Sequence, residues 1–307
     1  MYEILENSPI HHEPVYIGGD DVMLAFNIIN VFDVIHKIRN AYPSSLGNCE
    51  NTTASAGIII THYKYPLREA LIQLRKTEKK AKNMEGKDSV AITVLAKSGN
   101  RLDTVQKWEY EINCNDTQTF FEIISLLVPK KHQSIELLEY IKSGVHVNTM
   151  ELLQTLILLF DRDIISQNFI QTLKEEFKFE LSSTKNVSNA SEMGKEIIQV
   201  ITIELYRQLI RSIKKKNFDP QILPSLYQPN KMNKENNHAI NDERENREEQ
   251  EETITKDLLL KIAYHSSIIL EHTRDFQNLL ELFEIARFVA TKKGKELSPI
   301  VPAETEN

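Results

Sequence analysis

The sequence predicts an α+β protein in which a mixed strand and helix unit is followed by an all-helical one. Three observations predict it. Up to about Gly99, short β-branched runs alternate with helical periodicity. From Thr117 onward, apolar residues recur almost only at helical spacing. Residues 217–252, rich in Pro, Asn and Glu, then interrupt the helical pattern before it resumes. The chain has 307 residues, 41% hydrophobic and 26% charged, which suits one or two globular domains and excludes collagen-like, mucin-like and wholly disordered classes.

Val15-Tyr16-Ile17 and Val22-Met23-Leu24-Ala25-Phe26 are apolar runs separated by Gly18-Gly19-Asp20-Asp21, residue types that allow a tight reversal. They predict a β-hairpin with carboxylates at its tip. Ile28, Ile29, Phe32, Ile35 and Ile38 follow at helical spacing, broken at Tyr42-Pro43. Thr53-Ala54-Ser55-Ala56-Gly57-Ile58-Ile59-Ile60 reads as a strand whose small residues permit close approach of another backbone or a ligand. Pro66 opens a helix through Leu67, Ala70, Leu71, Leu74 and Ala81, which Gly86 closes, and residues 90–95 form the last strand expected in this region. Helices are expected around 117–128, 133–143, 147–160, 163–177 and 190–213, and again over 253–292.

Lys+Arg number 37 against 44 Asp+Glu, a net charge of -7, so the bulk field does not attract polyanions and any nucleotide or nucleic-acid site must be a local basic patch. Cys49 and Cys114 lie far apart without ligand-like spacing and read as idle thiols in a reducing compartment. The first 14 residues lack the layout of a secretion signal. The longest apolar stretches, such as 152–160, fall short of the roughly 20 residues that span a bilayer. A cytoplasmic protein with no membrane partner is the expectation.

Two adjacent carboxylates at a glycine-preceded hairpin tip suit magnesium binding, because the glycines keep side-chain bulk away from an incoming triphosphate. Two such metals about 4 Å apart stabilise the attacking 3′-hydroxyl and the leaving pyrophosphate of an in-line nucleotidyl transfer. Adjacent side chains on a strand point to opposite faces, so Asp20 and Asp21 share a site only if the turn rotates one of them. The alternative is an ordinary turn with both carboxylates in water. The helix Arg75-Lys76-Thr77-Glu78-Lys79-Lys80-Ala81-Lys82 is basic, and Lys79 and Lys82, three apart on one face, could each meet a phosphate. A solvated helix face is the alternative there. Lys214-Lys215-Lys216 reads as a helix C-terminus whose cations complement the dipole, with phosphate contact as the other reading. The paired His11-His12 fits no motif.

Taken together, four segments carry a family resemblance. They are the hairpin around Gly18-Gly19-Asp20-Asp21, the run from Thr53-Ala54-Ser55-Ala56-Gly57 through His62-Tyr63-Lys64-Tyr65-Pro66-Leu67, the cluster Glu78-Lys79-Lys80-Ala81-Lys82, and Lys87-Asp88-Ser89-Val90-Ala91. In this order they resemble the second half of a polymerase/cyclase palm. Specifically, they resemble the large subunit of type III-B CRISPR (RAMP module) effector complexes, which converts ATP to cyclic oligoadenylate. Trp108-Glu109-Tyr110 and Leu282-Phe283-Glu284-Ile285-Ala286-Arg287-Phe288 resemble the start and end of that family's helical domain.

The resemblance implies a fold and a site. Asp20 and Asp21 match the family's GGDD motif as catalytic metal ligands for Mg2+ or Mn2+, while Gly18, Gly19, Lys79 and Lys82 would bind the nucleotide, with ATP as substrate. Lys82 matches the position of a phosphate-contacting lysine in related cyclases. His62 stands where the family often has a histidine and is read as structural. The family's palm begins with a central, metal-binding strand, so a ferredoxin-like palm lacking its first strand is expected, with a gap in its sheet. The expected layout is a partial palm over 1–104, a helical domain over 105–216, a flexible linker over 217–252, returning helices over 253–297 and a disordered tail over 298–307.

Expected partners are the other type III-B effector subunits, guide and target RNA reached through the complex, and a missing N-terminal half that completes the palm. The alternative is a catalytically inactive scaffold that docks effector subunits and guide RNA through its helical domain. A signalling cyclase using GTP is a third reading, disfavoured by the long helical region.

Overall fold

A computed structural model describes residues 12–18, 21–28, 31–45, 53–111, 146–177, 190–212 and 243–296. The chain divides into two compact units, Met1–Gln106 with Glu284–Asn307, and Lys107–Phe283.

In the first unit, β1 (His12–Gly18) and β2 (Asp21–Phe26) pair antiparallel, with Gly18 opposite Asp21 and Ile17 opposite Val22. The register shifts between Pro14 and Tyr16, a bulge beside the one residue of β1 that has no N–H to give the ladder. Helix α1 (Val31–Ser45) buries Phe32 and Val34. It runs on through Pro43, where the sequence suggested a break, because a proline in the last turn removes only one N–H bond and nothing helical need follow.

Strand β3 (Ala56–Thr61) lies parallel to β4 (Ser89–Leu95), with Ala56 opposite Val90 and Thr61 opposite Leu95. Parallel strands need a long crossover, here supplied by α2 (Leu67–Lys82). Gly57 allows that helix to seat closely: a Cβ there would stand 2.5 Å from the Glu78 backbone nitrogen and 2.7 Å from its Cα. Val90, Ala91, Ile92 and Val94 are fully buried, as befits the middle strand of the sheet β3-β4-β5.

Strand β5 (Arg101–Lys107) follows a tight turn in which Ala96 N–H donates to Asn100 O, with Gly99 at φ +84°. It overturns the expectation of almost pure helix after Gly99. The inward residues of β5 are Thr104 and Gln106, both buried and hydrogen-bonded to each other at 3.0 Å, so no apolar alternation announces the strand. The β1-β2 hairpin and the β3-β4-β5 sheet are separate ladders among the described residues.

In the second unit, β6 (Glu109–Tyr110) pairs antiparallel with β7 (Val147–Asn148), two short strands that the helical reading also missed. Helix α3 (Thr149–Asp161) starts where Asn148 Oδ1 accepts the N–H groups of Met150 and Glu151, satisfying donors that the first turn leaves unpaired. Leu152, Leu153, Leu156, Leu159 and Phe160 of α3 form the centre of the core. They share it with α4 (Phe169–Glu176), α5 (Ala190–Ser212), α6 (Glu243–Thr273) and the start of α7 (Phe276–Glu296). The Phe177 and Phe276 rings meet edge to face at 5.0 Å.

Residues 258–270 of α6 are buried on nearly every side, so this span shows little amphipathic pattern. The helix begins at Glu243, inside the stretch read as linker, since a glutamate-rich segment has high helix propensity and places negative charge near the helix N-terminus. The helices expected around 117–128 and 133–143, the remainder of the linker, Lys214-Lys215-Lys216, His11, both cysteines and the 298–307 tail lie outside the described residues.

Candidate functional site at the hairpin tip

Gly18 ends β1 opposite Asp21, the first residue of β2, so the Asp21 carboxylate stands at the end of the hairpin. Gly19 and Asp20 lie outside the described residues. A Cβ on Gly18 would stand 2.5 Å from Tyr16 Oη, so the tyrosine ring covers the space that any side chain there would fill. The Asp21 side chain is 67% exposed.

Helix α2 delivers its last residue to this tip. Lys82 Nζ lies 3.9 Å from Asp21 Oδ1 and 2.6 Å from Glu78 Oε1. Two groups 61 positions apart in sequence (82 − 21) are thus brought to one place. Lys79 is exposed, and no ion pair joins it to the tip among the described residues.

Lys80 serves a different structure. Its ammonium donates to Asp103 Oδ1 at 2.8 Å, and Asp103 also accepts from Thr93 Oγ1 and from the Arg101 guanidinium. Burial pushes the Asp103 carboxyl up, but the hydrogen bonds from Arg101, Lys80 and Thr93 outweigh it and hold it below the ordinary carboxylate range. Thr77 Oγ1 extends the network to Thr93 Oγ1 at 2.8 Å. The basic run of α2 is therefore divided: Lys80 braces the sheet and Lys82 faces the hairpin.

His62 sits in the loop between β3 and α2, where its Nδ1 accepts the Lys64 N–H at 3.2 Å and its ring lies against Tyr63. That loop is at the start of α2 and Lys82 is at its end, roughly 22 Å away along a helix of this length. His62 is not brought to the hairpin tip.

Sequence reasoning missed Glu78, Arg39 and Asp88. In the sequence Glu78 has no role beyond its place in the basic run, yet its spacing of four from Lys82 is the signal that pairs them. Asp88 follows Gly86 and Lys87 in three successive left-handed residues, φ +69°, +53° and +47°. The turn aims its carboxylate at the Ala54 N–H, 3.2 Å away, and at Arg39 Nη2, 2.8 Å away, tying α1 to the residues just before β3. Ser55 Oγ and Arg39 Nε beside this clasp are buried without a hydrogen-bond partner among the described residues.

Among the described residues no group of three or more His, Cys, Asp or Glu side chains is placed to hold a metal, and no helix is long and apolar enough to cross a membrane. The donor chemistry at the tip nonetheless suits magnesium: an open carboxylate offers hard oxygen, and magnesium keeps most of its waters when one or two carboxylates bind it.

Residues 2–91 match the family described as Cas10/Cmr2, second palm domain. The chain is also similar to the CRISPR system Cmr subunit Cmr2 of Pyrococcus furiosus, at 39% identity over 99 residues. That match covers 31% of this chain and 11% of the relative, so the chain spans only a small part of the length of the curated relative it matches. The hairpin, the crossover helix α2 and its basic C-terminus all lie within residues 2–91, the segment similar to that second palm domain.

Proposed function

We propose that this chain is part of the large subunit of a type III CRISPR RNA-guided effector, and that its hairpin tip serves magnesium-dependent conversion of ATP to cyclic oligoadenylate. The observation that carries the proposal is the approach of Lys82 to Asp21 at the end of the hairpin, inside the segment that matches the palm family. A carboxylate and an ammonium side by side suit a metal-bound triphosphate, which presents a divalent cation to one and phosphate oxygens to the other. Magnesium, held by Asp21 and Asp20, would neutralise charge on the triphosphate as the 3′-hydroxyl of one adenylate displaces pyrophosphate from the next.

The chain's own residues bind and orient. Gly18 and Gly19 bring no side chain of their own to the tip, Lys82 takes up a phosphate oxygen in place of its Asp21 contact, and Lys79, exposed one turn earlier, is available to the outer phosphates. ATP rather than GTP is inferred from the family resemblance alone. Other effector subunits, guide RNA and target RNA are the partners proposed. The test is ATP turnover by the assembly recovered through a tag on this chain, with target RNA and magnesium added. Turnover that disappears in Asp20→Ala/Asp21→Ala supports the reading, and turnover that survives it refutes the reading.

A second reading, a scaffold without turnover, is favoured by one observation. The hairpin pairs with no further strand among the described residues, which leaves the Asp21 carboxylate largely in solvent. Normal effector assembly around a chain that shows no ATP turnover would support it.

A further inference from the structure

We infer that Gly57 and Glu78 are positioning residues that set where the Lys82 ammonium stands, an inference that rests on the reading of the hairpin tip as a triphosphate site. A Cβ on Gly57 would collide with the backbone of Glu78 rather than with the end of a flexible side chain, at 2.5 Å from N and 2.7 Å from Cα. Such contacts are shorter than real Cβ atoms show, so any side chain at 57 must push α2 away from β3.

Glu78 in turn grips Lys82 one turn further along, at 2.6 Å, with the spacing at which oppositely charged helical neighbours meet. Lys82 then reaches Asp21 at 3.9 Å, a separation that a displacement of about an ångström in α2 would open or close. Glycine at 57 therefore sets the seat of the helix, and glutamate at 78 sets the direction of the lysine.

Lysine labelling tests this without relying on activity. An amine-reactive acyl reagent in limiting amount, with peptide mass spectrometry, reads the reactivity of each lysine in the full chain. Lys82, charged and held by two carboxylates, is expected to label more slowly than exposed Lys79. Gly57→Ala should raise Lys82 labelling about threefold and leave Lys79 unchanged, the size expected from losing a partly exposed ion pair. Glu78→Ala should do the same without disturbing β3, which keeps the proposal testable if Gly57→Ala does not fold. Lys82 labelling that is unchanged in Glu78→Ala, or in a Gly57→Ala protein with native amide protection in β4, overturns the inference.

A double-mutant cycle on the KM for ATP separates positioning from general damage. If Gly57 acts through Lys82, Gly57→Ala raises KM, and adding it to Lys82→Ala raises KM no further. Additive losses would mean that Gly57 acts by some other route and would overturn the inference. Labelling that responds as expected while KM responds to neither residue would leave the positioning intact and remove the triphosphate reading.

Discussion

Replacing Asp103 with Asn keeps the shape of the side chain and removes its charge, which isolates the role of the network beneath α2. In the native protein Asp103 accepts from Lys80, Thr93 and Arg101, with a quarter of its side chain exposed. Hydrogen bonds to a charged group are worth about 1.5–3 kcal/mol each, but asparagine still accepts from Thr93 and the two cations can turn to solvent. A net loss of about 2 kcal/mol follows, well below the sum of the contacts. Amide exchange of residues 90–94 reads it locally, where 2 kcal/mol corresponds to exchange about 30-fold faster if opening is reversible and rapid.

The pH dependence has a definite sign. The native carboxyl lies below its ordinary value of 3.8, so its stabilisation is fully present above that value and is lost as pH falls through the native one. The gap between wild type and Asp103→Asn should therefore be constant above about pH 5 and narrow below pH 4. Exchange within a factor of about two of wild type at neutral pH would refute the reasoning, as would a gap that widens in acid.

Other outcomes follow from the same structure. Lys82→Ala should raise the KM for ATP about tenfold with a smaller change in kcat, since one charge-assisted contact to phosphate is removed. Asn148→Ala should destabilise the second unit by about 1 kcal/mol in urea unfolding, because the first turn of α3 loses its cap. Phe160→Ala, at a side chain with 1% exposure, should cost about 3–5 kcal/mol in the same assay. Burial and the nearby Lys261 hold His265 neutral, pushed down to about 3 from 6.5, so the second unit should lose stability as pH falls below 6.5 toward that value. His265→Gln should flatten that part of the acid profile.

Much of the first unit was legible because its signals are local. Glycines between apolar runs mark the hairpin, Pro66 marks the start of α2, and the unbroken apolar run of β4 marks a strand buried on both faces. Strand β5 was not legible, because its buried face carries Thr104 and Gln106, whose polar groups satisfy each other only once the strand is folded. The short β6 and β7 were hidden for a similar reason: two residues have no periodicity, and what fixes them is a contact between Glu109 and Asn148, 39 positions apart (148 − 109).

At the candidate site the residue types could be read and their partners could not. Lys79 and Lys82 look equivalent on a helical wheel, yet of the two it is Lys82 that stands 3.9 Å from the Asp21 carboxylate. Lys80 looks like a third surface cation until Asp103, on a strand that the pattern conceals, claims it. The clasp of Arg39 with Asp88 depends on three successive left-handed residues, of which the sequence flags only Gly86.

The central claim is that the hairpin tip and Lys82 form one site for a metal-bound triphosphate. Titration of the assembly with Mn2+ and a non-hydrolysable ATP analogue, followed by the electron paramagnetic resonance signal of free manganese, measures it most directly. The account predicts manganese uptake that the ATP analogue strengthens, that Asp20→Asn/Asp21→Asn abolishes and that Lys82→Ala weakens only when the analogue is present. Uptake that persists undiminished in the double aspartate variant would place the metal elsewhere and contradict the account.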